Sequence, residues 1–171
     1  MTMTLPPIAE IRASHRTVGI SDLHISSTTT DVIVTHSLGS CVGLTLYDPA
    51  LKIGGMVHCL LPLSSLDAEK AKQNPAMFTD TGVSALIQKM FDLGADRKRI
   101  IAKAAGCSCL LDEKGTFRIG ERNNTILRKV LWKNNIMLAG DEVGGTIPRT
   151  LYLYIDTGRT VVRSQGSMRE I

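Results

Sequence analysis

Aromatic side chains are scarce here: three Phe, three Tyr and one Trp make up 4% of 171 residues. Val, Ile, Leu and Met must therefore fill the core. No apolar run approaches the roughly 18 residues of a membrane helix. Residues 1–16 contain no apolar stretch long enough for a secretory signal. The cytoplasm is the expected location, without stable membrane insertion. Lys/Arg blocks and aromatic-plus-basic motifs are also missing, which argues against nucleic acid as a partner. The net charge of +4, from 20 basic and 16 acidic residues, is modest and would ease approach to an acidic protein surface. No CxxC pair occurs, so a thioredoxin-type redox site is not expected.

The four cysteines, Cys41, Cys59, Cys107 and Cys109, read as thiols rather than a disulfide framework. Together with His36 and His58 they could offer metal ligands. A Cys-x-Cys spacing is weaker evidence than paired knuckles, and Cys107 and Cys109 read more simply as small core residues. No metal and no cofactor is expected.

A chain of this length forms one domain of ordinary size. Residues 1–16, with Pro6-Pro7, read as a flexible leader before a single domain at 17–171. Strands are expected at Thr17–Ile25, Asp31–Thr35, Val42–Tyr47 and Lys52–Leu61, from their β-branched content and alternation. Gly54-Gly55 inside the last of these marks a bulge or a close backbone approach. Val83, Leu86, Ile87, Met90 and Phe91 recur at helical spacing, so Asp80–Leu93 is a helix, stopped by Gly94. Arg99–Ala105 and Ile136–Ala139 are further strands, with a second amphipathic helix at Glu121–Asn134. Thr150–Asp156 and Arg159–Ser164 flank Thr157-Gly158 as a closing hairpin. These elements give an α+β fold of layered mixed sheets with flanking helices.

Thr35-His36-Ser37-Leu38-Gly39-Ser40-Cys41 is the stretch richest in chemistry. A strand ends, a glycine-containing loop follows, and a cysteine sits where the next strand begins. Gly39 can take positive φ and bare its backbone. Successive N–H groups there, with Ser40 and Cys41 as donors, could hold an oxyanion and favour a thiolate. A cysteine nucleophile also needs a base. Of His15, His24, His36 and His58, the last two are the candidates, and the residues alone do not choose between them.

The stretches Val18–Leu23, TxxLGSCVGLTLYDP, GGMVHCLLP, Phe78–Gly94, Ile119–Asn123, Glu142–Gly145 and Arg149 resemble the CheD family of chemoreceptor glutamine deamidases. The resemblance covers residues 18–165. It implies a catalytic Thr, a Cys six residues later and a His seventeen beyond that, which fall here on Thr35, Cys41 and His58. Cys41 would attack a glutamine carboxamide, His58 would act as base and acid, and Thr35 would orient the imidazole. It also implies chemoreceptor cytoplasmic helices as substrates, a CheC-type phosphatase as partner, and a fold like the deamidase domain of cytotoxic necrotizing factor toxins. Arg122 and Arg149, in family-like segments, are candidates to meet an acidic substrate helix. The chain departs from the family at Gly106-Cys107-Ser108-Cys109 and Thr146-Ile147-Pro148. Two other readings are a non-catalytic module that regulates a phosphatase, and another cysteine amidase or esterase.

Overall fold

The runs VGLTLYD and IGGMVHC are apolar at almost every position, so both faces of their strands must be covered. The computed structural model, which describes residues 14–110 and 117–171, shows what covers them. In chain order the strands are β1 His15–Thr17, β2 Asp22–Ser26, β3 Val32–Leu38, β4 Val42–Asp48, β5 Ile53–Cys59, β6 Ile101–Gly106, β7 Leu138–Val143, β8 Arg149–Tyr154, β9 Thr160–Ser164 and β10 Ser167–Glu170. The helices are α1 Ala68–Gln73, α2 Thr79–Asp92 and α3 Ile119–Lys133. One sheet runs β1-β3-β8-β9-β10 and the other β2-β5-β4-β6-β7. The α+β layered class is as expected.

Residues on β4 alternate between two apolar layers. Val42, Leu44 and Leu46 join Val83, Leu86, Met90, Leu127 and Leu131 of the two long helices. Tyr47 faces the other sheet, with Ile33, Leu38, Leu151 and Leu153. The second sheet is thus sandwiched between the first sheet and the helices. No helix among the described residues is long and apolar enough to cross a membrane.

The structure corrects several expected boundaries. Residues 14–16 are not leader: β1 pairs in parallel with β3 from His15 onward, and Arg16 forms an ion pair with Asp31 at 3.3 Å. The expected strand Thr17–Ile25 is two strands in different sheets, because the chain crosses over between Val18 and Ser21. The strand expected at Ile136–Ala139 starts later, at Leu138, and Ile136 is a buried residue leading into it. Two short elements carried no apolar pattern and were not expected: α1, which buries only Ala71, and the edge strand β10.

Gly54 and Gly55 are close approaches rather than a bulge. The β4–β5 register runs unbroken from Val42↔Cys59 to Asp48↔Ile53. A Cβ would sit 2.7 Å from Ile155 Cδ1 at Gly54 and 2.7 Å from Leu86 Cδ1 at Gly55. The hairpin glycine, Gly158, is more constrained. Its φ is +75°, and a Cβ would stand 2.3 Å from Tyr47 Cδ1. That ring cannot swing away easily, because its hydroxyl donates to the Ile155 carbonyl at 2.9 Å. Left-handed strain and overpacking together predict that Gly158→Ala costs about 2–4 kcal/mol. Gly19→Ala, with no heavy atom within 4 Å of its Cβ, should stay within about 0.5 kcal/mol. Urea unfolding of the two variants checks this, and equal midpoints would contradict it.

Candidate active site

β3 belongs to one sheet and β4 to the other, so Gly39–Cys41 must cross between the layers. Thr35 faces inward on β3, and His58 faces inward on β5. A regular strand would point Thr35 and Leu38 to opposite faces. An irregularity between them, where Thr35 pairs with Leu151 and Leu38 with Arg149, inserts one residue. Ser37 absorbs it at φ +58°. Both Thr35 and Leu38 therefore point inward, while His36 and Ser37 are pushed out to solvent. The positive φ expected at Gly39 is at Ser37 instead. Gly39 serves space: a Cβ there would meet Leu110 Cδ1 at 2.8 Å.

His58, fully buried, brings Nδ1 within 2.7 Å of Thr35 Oγ1. The Thr35 hydroxyl also donates to the Val18 carbonyl at 2.7 Å. A hydroxyl has one proton to give. With that proton on Val18, Thr35 Oγ1 must accept from His58, so Nδ1 carries the hydrogen and Nε2 keeps its lone pair. Burial pushes the imidazole down to about 4, so the ring is neutral near pH 7.

Cys41 is 7% exposed and lies in the same inter-sheet cluster. Gly43 pairs directly with His58, and Cys41 precedes it by two residues, a diagonal cross-strand position. Gly43 has no side chain to intrude between them. Its Cβ would already clash with Leu38 and Leu151, at 2.9 and 3.0 Å. The expected hydrogen bond from Cys41 to His58 is not formed, since Nε2 has no partner among the described residues. Burial raises the Cys41 thiol, offset in part by its own backbone N–H. The resting pair is thus neutral thiol and neutral imidazole, not the loop-stabilised thiolate expected from dipoles.

The loop itself is braced by its carbonyls. Gly39 C=O accepts from Ser108 N–H and Cys41 C=O from Cys107 N–H, both at 2.8 Å. Ser40 C=O accepts from the Asn123 amide at 2.9 Å. The Gly39 N–H turns back to Ser37 C=O at 3.0 Å. No backbone hydrogen bond occupies the Ser40 and Cys41 N–H groups among the described residues.

Of the other histidines, His36 is exposed, His15 lies on β1 opposite Val32, and His24 lies on β2 opposite Met56. Cys59 and Cys107 are core thiols. Burial raises both, Cys107 up to about 12. No cluster of three or more His, Cys, Asp or Glu side chains among the described residues is arranged to hold a metal. Arg149 is corrected. It is 6% exposed, and its guanidinium donates to Glu142, Ser108 and the Gly106 and Gly144 carbonyls at 2.8–3.2 Å. It ties loops together behind the site and cannot reach a substrate. Arg122 is exposed on α3. Two participants escaped sequence reasoning. The Val18 carbonyl carries no side-chain signal. Asn123 ends a family-like stretch and lies in line with Leu127 and Leu131 on the buried stripe of α3, but neither sign gives it a role.

A family model described as "CheD chemotactic sensory transduction" matches residues 60–164, more than half of the chain. The chain belongs to the CheD family. A relative from Syntrophus aciditrophicus, named a probable chemoreceptor glutamine deamidase CheD 1, is 44% identical over 90% of this chain and 97% of its own. One from Solibacter usitatus, with the corresponding name, is 44% identical over 90% and 91%. One from Pyrococcus horikoshii is 37% identical over 85% and 90%. The family model begins after His58, but a match to 90% of this chain cannot start later than about residue 18. The full-length CheD relatives therefore align through Thr35, Cys41 and His58. Among solved structures, the Bacillus licheniformis hypothetical protein YfiH aligns over 73% of this chain and 50% of its own, with TM-score 0.46 and 14% identity.

The neutral, buried His58 predicts a specific acid response. Its folded value, about 4, lies below the roughly 6.5 of an unfolded imidazole. Above about pH 6.5 neither state binds this proton, and the fold keeps its full stability from the group. As pH falls towards about 4 the unfolded chain takes up a proton that the folded chain refuses, and stability is lost. The span corresponds to about 3 kcal/mol. His58→Gln should lack that part of the loss, measured by urea unfolding at about pH 7 and about pH 4.5. The same acid loss in both proteins would contradict a neutral buried imidazole.

Proposed function

We propose that this chain is a protein-glutamine deamidase acting on chemoreceptors, with Cys41 as nucleophile, His58 as base and acid, and Thr35 as the residue that orients His58. From β1 at His15 onward, the chain is proposed to form one catalytic domain. The single observation that carries the reading is the Thr35–His58 contact at 2.7 Å, with the Thr35 proton committed to Val18. It leaves an imidazole lone pair in the same layer as the Cys41 thiol. The relatives' printed names, probable chemoreceptor glutamine deamidase, supply the substrate.

The reaction follows from the resting protonation. A thiol and a neutral base must exchange a proton as the sulfur attacks. Nε2 takes the Cys41 proton while Sγ bonds to the carboxamide carbon. The carbonyl electrons move onto oxygen, which the Ser40 and Cys41 N–H groups receive. The imidazolium then protonates the departing nitrogen, and ammonia leaves a glutamyl thioester. Water gives its proton to Nε2, attacks the thioester and releases glutamate, returning the proton to sulfur. Thr35 serves each stage by keeping Nδ1 as donor. It holds no negative charge, so the transient imidazolium is supported by dipoles alone.

A glutamine on a folded helix has its backbone already hydrogen-bonded, so recognition cannot proceed by strand addition. The helix must be read by side chains. Arg122 is proposed to meet acidic residues of that helix.

Kinetics on a folded receptor fragment test these roles, with ammonia release and the amide-to-acid mass change as readouts. Cys41→Ala should abolish turnover without loss of fold. Thr35→Val should lower kcat by about tenfold to a hundredfold with little change in KM, because a misplaced proton acceptor acts in the transition state. Arg122→Glu should raise KM and leave kcat alone, and the KM of the unaltered protein should rise as salt shortens the screening length below about 10 Å. Full activity in Cys41→Ala would remove the nucleophile. Unchanged kinetics in Thr35→Val would reduce Thr35 to a strand residue.

A further inference from the structure

Asn123 is fully buried on α3, yet none of the chemistry above uses its side chain. Its amide occupies the gap where β4 and β5 part. The β4–β5 ladder closes at Val42↔Cys59. Just beyond that pair, Asn123 Nδ2 donates to Ser40 C=O at 2.9 Å and to Leu60 C=O at 3.2 Å. One residue thus joins the nucleophile loop to the end of the His58 strand. These two carbonyls set its orientation, and a third contact is consistent with it. Thr79 Oγ1 lies 3.0 Å from Asn123 Oδ1. The Leu61 carbonyl accepts the Thr79 N–H at 2.7 Å and lies 3.2 Å from the Thr79 hydroxyl, the longer of that hydroxyl's two contacts. Turned over, the Asn123 oxygen would face two carbonyls.

The backbone of α3 is fitted to this task. Gly120, three residues earlier, lies against the 106–108 brace. A Cβ there would be 2.6 Å from the carbonyls of Cys107 and Ser108. Residues three apart share a helix face, so the docking that only glycine permits also aims Asn123 at Ser40.

Fixing Ser40 C=O fixes more than one oxygen. The Ser40–Cys41 peptide is trans and planar, with its N–H opposite its C=O. With the carbonyl held by Asn123, the Cys41 N–H is turned away from α3, and it lowers the Cys41 thiol against the rise that burial causes. An oxyanion formed on a carbon bonded to that sulfur lies beside it. We propose that Asn123 is a positioning residue that sets the Cys41 N–H as an oxyanion donor, so that its loss impairs deamidation without disabling the thiol.

The inference rests on the deamidase reading, and the experiment separates the two. Deamidation passes through an oxyanion, whereas alkylation of the thiol by iodoacetamide does not. Asn123→Ala is compared with the unaltered chain, both in a Cys109→Ser background so that Cys41 is the labelled thiol. The expected result is a fall in kcat of about a hundredfold, a KM within about twofold, and alkylation of Cys41 within a few-fold of the original rate. A proportional fall in deamidation and alkylation would mean that Asn123 merely holds the loop together, and would overturn the proposal. Unchanged kcat in a folded variant would also overturn it. If Asn123→Ala does not fold, Thr79→Val carries the test, since it removes the hydroxyl that faces Asn123 Oδ1 and leaves the Asn123 side chain in place. The same selective loss, smaller in size, is then expected, and none would overturn the proposal. If the unaltered chain releases no ammonia from a receptor fragment, the deamidase reading itself falls and takes this inference with it.

Discussion

The Val18 carbonyl directs every proton in the site. By accepting the Thr35 hydroxyl it makes Thr35 Oγ1 an acceptor, and Thr35 in turn makes His58 Nδ1 a donor. Only then is Nε2 a base. Each link is 2.7 Å long, and Thr35 and His58 are fully buried. Water cannot compete for these groups, so the chain of hydrogen bonds is not averaged away. A carboxylate in place of Thr35 would pull His58 towards its charged form. A hydroxyl leaves it neutral, in keeping with an imidazole that burial has lowered to about 4.

That relay depends on a sandwich of two sheets. Val18 lies on the crossover between β1 and β2, Thr35 on one sheet, His58 on the other, and Cys41 on the crossover between β3 and β4. The sheets must approach closely for a threonine and a histidine to touch across the layer. Gly43, directly opposite His58, and Gly54 remove bulk where the two sheets meet. The helices fix the other side. α3 approaches the loop brace at Gly120, and Asn123 joins the parted ends of β4 and β5. The proposed catalytic geometry is a property of layer packing rather than of a loop alone.

Much of this was legible in the sequence, for physical reasons. Val83, Leu86, Ile87 and Met90 mark the buried stripe of α2 without ambiguity, and the paired apolar runs of β4 and β5 mark strands covered on both faces. The spacing of Thr35, Cys41 and His58 carried the resemblance. What was not legible involves the backbone. No residue type announces that Val18 offers a carbonyl, that Ser37 rather than Gly39 takes the left-handed turn, or that Thr17–Ile25 breaks between sheets. Arg149 was misread because an arginine suited to an acidic partner and one that ties loops look alike until burial is known. Asn123 ends a family-like stretch and is a polar intruder in line with Leu127 and Leu131 on α3, and neither sign says what its amide holds.

The central claim is that His58 rests neutral with its proton on Nδ1 and its lone pair on Nε2. Nitrogen-15 NMR of the imidazole ring in the unaltered protein reads this state directly, since the protonated and lone-pair nitrogens have well-separated shifts. Nε2 should have the lone-pair shift and Nδ1 the protonated one, unchanged from about pH 8 down to about pH 5, because burial keeps the ring from titrating at its usual value near 6.5. A proton on Nε2, or an imidazolium already present near neutral pH, would contradict it.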